Sequence, residues 1–282
     1  MTSGSDPREE LSVAERRELL DGAFELADLC AQITASIVDK GFEISWKADE
    51  SIVTTADMEA ERGFRERVRE CYPDMDVLGE EFGRSDTGSD YCWVIDPVDG
   101  TAEFARHVPL YGCIIGLFYK DRPLLGVIDH PAMKLRCHGL YGLGAYCDGR
   151  RLRIDDCTPE QAGSTARIGL PSRASFLKPT NCAHVFDAVV DAYPNFRAYH
   201  TCYSHLLAAT QSLDAAMEWD TAIWDLAAAQ IVIEEAGGRY HTVRDFEIPG
   251  EGRFYTGVFG KPAVVDRLLA VIEESLQASP KQ

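Results

Sequence analysis

Basic residues are scarce in this chain. Lys and Arg number 28 against 46 Asp and Glu, which leaves a formal charge of −18. A nucleic-acid binder needs a basic face to displace counterions from phosphates, and a protein held on anionic lipid needs one too, so the shortage argues against both. Long apolar runs are also missing; none approaches the roughly eighteen residues of a membrane-spanning helix. The opening MTSGSDPREE has neither a basic n-region nor an apolar h-region, so no secretory leader is expected. The nine cysteines (Cys30, Cys71, Cys92, Cys113, Cys137, Cys147, Cys157, Cys182 and Cys202) form no CxxC pair, and their number is odd. That argues against a disulfide framework or a zinc ribbon and favours reduced thiols in a cytoplasm. Internal repeats are absent, and residues 1–10 read as a disordered tail.

What remains is the composition of an ordinary soluble globular protein, 45% hydrophobic and 26% charged. At about 150 residues per domain, 282 residues make roughly two. Ser12 and Glu15 have capping-box spacing. Leu19, Ala23, Leu26, Cys30, Ile33 and Ile37 then recur at steps of four and three, predicting a long amphipathic helix that ends near Gly41. A second helix is predicted over 57–72. Short β-branched runs follow at 77–78, 92–95, 111–119, 124–128 and 134–137, and Asp148-Gly149 suits a primed hairpin turn. Beyond residue 157, strands predicted at 166–170, 196–200, 215–219, 238–241 and 254–258 alternate with helices at 181–192, 203–211, 225–236 and 262–277. The expected class is α/β: an α+β part over 11–156 with an antiparallel sheet, and an α/β part over 157–282, divided near Asp155–Pro159.

The strongest chemical signal is Trp93-Val94-Ile95-Asp96-Pro97-Val98-Asp99-Gly100-Thr101. An apolar strand is expected to stop at Asp96, because Pro97 restricts the residue before it to extended geometry. Gly100 permits a sharp turn, and Thr101 can open a helix whose free amides suit an anion. Two carboxylates three residues apart on such a corner can converge on Mg²⁺ or Mn²⁺; the plainer reading is an Asp-Pro turn with a cap. Glu80-Glu81 follows another apolar strand and reads alone as a solvated loop. Asp225, beside Trp224, reads alone as an N-cap, and Asp57, after Thr54-Thr55, as part of a helix cap. Four such clusters in one chain are less easily assigned to caps. Asp220 reads as a loop charge, Trp219 and Trp224 as packing residues. His200, Cys202 and His205 have loosely metal-like spacing, with ordinary packing or pocket roles preferred because no second ligand pair is evident.

Taken in order, Glu80-Glu81, the Asp96–Thr101 string and Trp224-Asp225-Leu226-Ala227-Ala228 followed by Glu235-Ala236-Gly237-Gly238 resemble the inositol monophosphatase family. These are metal-dependent, lithium-sensitive phosphomonoesterases. The resemblance spans about residues 47 to 238. It implies a layered αβαβα sandwich, as in the inositol monophosphatase and fructose-1,6-bisphosphatase fold. It implies two or three Mg²⁺ ions (Mn²⁺ as an alternative) held by Glu80, Asp96, Asp99, Asp225 and the main-chain carbonyl of Val98. Asp57 and Thr101 fall on the pair that orients and helps deprotonate the attacking water, with Glu80 joining them in the catalytic group. Gly100 and Thr101 supply amides to the phosphate. Lys47 falls in the region of a family lysine, and Glu218 on a position that touches the alcohol part of the substrate. A homodimer is usual in the family.

Lys47 to Ser51, Leu78 to Gly83, His107 to Leu110 and Gly126 to Pro131 are similar to the histidinol-phosphate phosphatases of that family. Tyr199, His200 and Thr201 fall in the segment that lines the alcohol pocket of relatives, with Asp225 also at the substrate. His200-Thr201 stands where that subgroup usually shows Gly-Asp. The four similar segments imply a histidinol-phosphate-like ester as the substrate and the His200-Thr201 departure counts against it, with inositol phosphate, fructose bisphosphate or a nucleotide 3′-phosphate as rivals. A non-catalytic metal- or ligand-binding relative is the alternative from another class.

Overall fold

The computed structural model describes residues 6–47, 52–199 and 201–278. Fifteen strands occur among them: β1 (Ile44–Trp46), β2 (Ile52–Thr54), β3 (Asp76–Gly79), β4 (Gly83–Arg84), β5 (Tyr91–Asp99), β6 (Gly112–Tyr119), β7 (Arg122–His130), β8 (Leu135–Leu140), β9 (Gly144–Cys147), β10 (Arg150–Arg151), β11 (Ile168–Leu170), β12 (Arg197–Ala198), β13 (Ala215–Thr221), β14 (Arg239–Ile248) and β15 (Gly252–Gly260). The α-helices are α1 (Val13–Lys40), α2 (Thr55–Cys71), α3 (Thr101–Ala105), α4 (Ala183–Ala192), α5 (Tyr203–Ala209), α6 (Ile223–Leu226), α7 (Ala229–Glu235) and α8 (Pro262–Ala278).

An eight-stranded sheet runs in the order β10-β9-β8-β7-β6-β5-β3-β4, and a five-stranded sheet in the order β12-β11-β13-β15-β14. The first is antiparallel except where β3 runs parallel to β5. In the second, β11 is parallel to both neighbours and the rest is antiparallel. Period-two alternation assigns the side chains of the large sheet to two cores. Trp93, Ile95, Ile115 and Val127 pack with Leu26, Cys30 and Phe64 of α1 and α2. Val94, Ile114 and Ile128 turn to the other face and meet Leu206 of α5, Val232 of α7 and Phe259 of the second sheet. The far face of that sheet packs Ile168, Met217 and Val258 against Val185 of α4 and Leu268 of α8. The result is five layers, α-β-α-β-α. Full burial of Leu26 contributes about 2–3 kcal/mol, and truncating it to Ala would cost about 2–5 kcal/mol.

The first helix is capped as expected. Ser12 Oγ accepts from Glu15 N, and the Glu15 carboxylate accepts from Ser12 N. Asp148 and Gly149 both adopt left-handed geometry at the β9–β10 turn. Three expectations fail. Residues 6–10 do not form a disordered tail: Pro7–Glu10 is a turn of 3₁₀ helix. Arg8 fixes it by binding Asp6 and the Pro123 carbonyl and stacking on Tyr141. The helix predicted over 225–236 is two short helices. Its break falls where Ala227 and Ala228 press against the sheet, so closely that a Cβ on Gly116 or Gly126 would lie within 3 Å of them. Finally, the strand does not stop at Asp96. It continues to Asp99 through a register shift between Asp96 and Asp99, which accommodates Pro97, a residue with no amide hydrogen to give the ladder. No described helix is long and apolar enough to cross a membrane.

Candidate active site

The irregular ends of β5 and β13 meet the first turns of α3 and α6 at a cavity of about 1020 Å³. Like β5, β13 carries a register shift, between Glu218 and Thr221. Asp96 ends the regular part of β5, and its Oδ1 accepts from Val98 N at 3.0 Å in an Asx turn. Asp99 Oδ2 accepts from Cys202 N, at the start of α5. Asp225 Oδ2 accepts from Thr221 Oγ1 and, at 3.0 Å, from Ala222 N. Asp225 is thus the third residue of its helix, reaching back to the cap, and not the N-cap itself. One ligand atom from each of Asp96, Asp99 and Asp225 lies within 4.8 Å of the others.

Gly100 has φ +90, and a Cβ there would meet Thr201 Cγ2 at 2.6 Å, so glycine is required for both conformation and space. It opens α3, whose first amides have no intrahelical acceptor. Thr101 Oγ1 donates to Asp57 Oδ1 at 2.8 Å and is 3.2 Å from the Val98 carbonyl. Asp57 Oδ2 receives Thr54 N at 2.8 Å and Thr54 Oγ1 at 2.5 Å. Asp57 is therefore both a cap, as its sequence context suggests, and a partner of Thr101.

Glu80 lines the same cavity but is engaged by Lys47, whose ammonium sits 2.7 Å from Glu80 Oε1 and 2.7 Å from Glu81 Oε1. Glu218 also lines the cavity; its Oε1 lies 3.2 Å from both Ser204 Oγ and His205 Nε2.

Electrostatics separate this cluster from ordinary caps. Burial, then the charges of Glu80, Asp99 and Asp225, push Asp96 well above the usual carboxylate range. Burial raises Asp225 in the same way, with Glu80 and Asp99 adding to it. Burial pushes Asp99 up to about 6 despite the Cys202 amide that favours its charged form. Burial also raises Asp57 and, with Glu80 nearby, pushes Glu81 up to about 7. Lys47 pairs with Glu80 and Glu81. Asp96 is buried and Asp99 and Asp225 are half-buried; converging carboxylates in such a setting are unfavourable unless protonated or joined by a cation. An oxygen-only donor set suits a hard divalent ion such as Mg²⁺ or Mn²⁺. On donor chemistry and spacing, the residues present fit such an ion.

Not every expected site residue meets the cavity. Thr201 lines it and donates to the Leu110 carbonyl at 3.0 Å. Tyr199 does not line it; its ring packs edge-on against Tyr203, 5.6 Å between centroids, in the core between the sheets. His200 lies outside the described residues. Cys202 and His205 do not pair as ligands: Cys202 Sγ is 3.5 Å from His130 Nε2, whereas His205 turns to Glu218. Asp220 is no surface charge. Its buried carboxylate takes hydrogen bonds from Thr180, from Thr256 at 3.0 Å and from Arg244 at 2.9 Å, so it is spent on structure. Trp219 is buried and stacked on Phe176, and Trp224 packs against the central core.

Glu61 escaped the sequence reading. It is fully buried on α2, and its carboxylate accepts Glu81 N at 2.7 Å and Phe82 N at 3.2 Å while paired to Arg65 at 2.8 Å. The signal was the spacing of Asp57, Glu61 and Arg65 at steps of four, which puts them on one helix face.

The model of the inositol monophosphatase family matches residues 15–266. A histidinol-phosphatase of Chlorobaculum parvum is 32% identical over 233 residues, 82% of this chain and 88% of that protein. A histidinol-phosphatase of Mycobacterium tuberculosis is 35% identical over 198 residues, 70% of this chain and 76% of that protein. The solved structure of an inositol monophosphatase from Zymomonas mobilis superposes with a TM-score of 0.77 at 24% identity, over 93% of this chain and 100% of that one, which shows the shared fold. The carboxylate centre at the end of β5 thus sits in a chain that belongs to the inositol monophosphatase family of metal-dependent phosphatases.

Proposed function

We propose that the chain hydrolyses a small phosphate monoester with a cationic leaving alcohol, histidinol phosphate or a close relative of it, in a Mg²⁺-dependent reaction. The carrying observation is Glu218: a carboxylate in the cavity that holds the Asp96–Asp99–Asp225 cluster, at a position that the family resemblance assigns to the alcohol end of the ester. A carboxylate there favours an ammonium or imidazolium partner through a charge-assisted hydrogen bond. The two relatives described above, both named histidinol-phosphatase, support the same reading.

Asp96, Asp99, Asp225, Glu80 and the Val98 carbonyl would hold the metal. When bound, Mg²⁺ supplies Lewis acidity toward the phosphoryl group and makes a water molecule easier to deprotonate. The chain's own residues do the positioning. Thr101, oriented by Asp57, accepts a hydrogen bond from the attacking water, and its own proton passes toward Asp57 as the water's proton leaves. The amides at the start of α3 meet negative charge on the equatorial phosphoryl oxygens. No protein nucleophile is required. Lys47 must exchange Glu80 between itself and a bound ion, which couples the β1–β2 hairpin to metal occupancy.

One observation favours a neutral alcohol such as inositol. His205, 3.2 Å from Glu218 Oε1, cancels that charge whenever the imidazole is protonated. The test is kcat/KM for histidinol phosphate against myo-inositol 1-phosphate at equal Mg²⁺, repeated with Glu218→Gln. Preference for histidinol phosphate that weakens in Glu218→Gln supports the reading. Preference for the inositol ester, or a ratio untouched by the substitution, rejects it.

A further inference from the structure

Trp46 is 67% exposed, more than any other large hydrophobic side chain among the described residues. Such exposure is unusual for a tryptophan, and its position makes it informative. Trp46 lies on the wall of the active-site cavity with Ile52, its cross-strand partner in the β1–β2 hairpin, and with Leu177, itself 46% exposed. The cavity lining therefore combines an acidic set, Glu80, Asp96, Asp99, Asp225 and Glu218 (the floor), with an apolar set, Trp46, Ile52 and Leu177 (the rim), and Arg106 and Lys178 line it as well.

The rim is tied to the floor at both ends of the hairpin. Lys47, the next residue along, donates to Glu80 and Glu81 at 2.7 Å. Thr54, at the end of β2, caps α2 and binds Asp57. The β1–β2 backbone that carries Trp46 is thus anchored by contacts to Glu80, Glu81 and Asp57.

A ligand that satisfies both surfaces carries a phosphate for the floor and a flat, apolar-faced cation for the rim. The face of an indole is the negative end of its quadrupole and the best aromatic partner for a cation. An imidazole has that shape and gains the charge as pH falls through about 6.5 or where a site favours the cation, whereas a polyol presents hydroxyls in every direction. We propose that Trp46 is the stacking wall for the leaving alcohol and a specificity-determining residue, selecting a planar cationic ring over a polyol. This deepens the substrate reading above and rests on it for the identity of the ester.

Two measurements separate the inference from that reading. The first is a titration of the Mg²⁺- and phosphate-loaded protein with histidinol and, separately, with myo-inositol, read by intrinsic tryptophan fluorescence. Trp93 is buried, but Trp219 lines the cavity and Trp224 is partly exposed beside Asp225, so the Trp46→Phe protein is the control that assigns any change to Trp46. The change should appear with histidinol and vanish in Trp46→Phe. The second is the ratio of kcat/KM for histidinol phosphate to that for myo-inositol 1-phosphate. Trp46→Ala should lower this ratio about tenfold, and Trp46→Phe should restore most of it. The exposure of the side chain leaves the fold intact in both variants, which circular dichroism verifies. A ratio unchanged by Trp46→Ala, or a Trp46→Phe variant as impaired as Trp46→Ala, overturns the role of Trp46 even if the wild type prefers histidinol phosphate. If the wild type prefers the inositol ester, the substrate reading fails and the titration alone decides. A fluorescence change with histidinol that is lost in Trp46→Phe then upholds stacking, and no change overturns it.

Discussion

Thr101 Oγ1 donates to Asp57 Oδ1 at 2.8 Å, joining the first turn of α3 to the first turn of α2. The same carboxylate completes the capping box of α2 through its other oxygen, so helix geometry holds the hydroxyl still. Thr101→Ala should lower kcat by about 10²–10⁴ while KM changes little, and Thr101→Ser should retain most of the rate. Steady-state kinetics decide it. A raised KM at constant kcat would make Thr101 a binding group instead.

The Asp96–Asp99–Asp225 cluster is repulsive until a cation joins it. Mg²⁺ at about a hundred times its Kd should stabilise the wild type by about 2.7 kcal/mol, a rise of several degrees in Tm. Asp99→Asn keeps an acceptor for Cys202 N but removes an anionic ligand. It should melt no lower than the wild type without metal, gain little from Mg²⁺ and be inactive. A full Mg²⁺-induced shift in Asp99→Asn would remove Asp99 from the metal site.

Glu61 holds the Glu80–Glu81 turn by two amides and is paired to Arg65. Glu61→Ala leaves those buried groups unsatisfied and should cost about 3–5 kcal/mol by urea unfolding. Glu61→Gln keeps one acceptor oxygen and turns the other into an NH2 that cannot accept; it should fold with a smaller loss than Glu61→Ala, yet need about tenfold more Mg²⁺ for half-maximal activity. An unaltered Mg²⁺ curve in Glu61→Gln would show that the turn does not depend on Glu61 for metal binding.

His138 tests the fold apart from the chemistry. Burial and the Arg136 charge lower its pKa to about 4, and its ring sits between Phe24 and Tyr146. The unfolded chain takes up this proton below about pH 6.5, so the contribution is complete above that pH and is lost as pH falls toward about 4. After allowance for solvent screening, the wild type should lose on the order of 1 kcal/mol relative to His138→Phe between about pH 7.5 and about pH 5. Parallel stability curves for the two proteins would contradict this.

The corners of the candidate site were legible in sequence as local geometry, whereas their grouping into one set of metal ligands came from the family resemblance. Asp-Pro, the glycine at 100 and the Thr54–Asp57 cap each predict a corner, and the structure brings the corners together. The residues that escaped are those defined only by tertiary contact. Glu61 looks like any helical surface glutamate until the turn after β3 docks on it. Asp220 looks like a loop charge until Thr180, Arg244 and Thr256 close around it. Tyr199 shared the predicted pocket segment, but its side chain turns to Tyr203 and the core. In the fold, periodicity found α1 and the alternating strands. It missed the break between α6 and α7, which reflects helix-to-sheet contact at Gly116 and Gly126 and has no local sequence signal.

The most direct test is release of inorganic phosphate from histidinol phosphate by the purified chain, with and without Mg²⁺, alongside Asp225→Asn. Asp225 is a member of the carboxylate cluster, and Asn can still accept from Ala222 N, so its loss bears on the metal site and not on the helix cap. The expected result is turnover that requires Mg²⁺, is abolished by chelation and is absent in a folded Asp225→Asn. Hydrolysis that proceeds equally in the presence of a chelator, or a fully active Asp225→Asn, would contradict a metal-dependent phosphatase centred on these carboxylates.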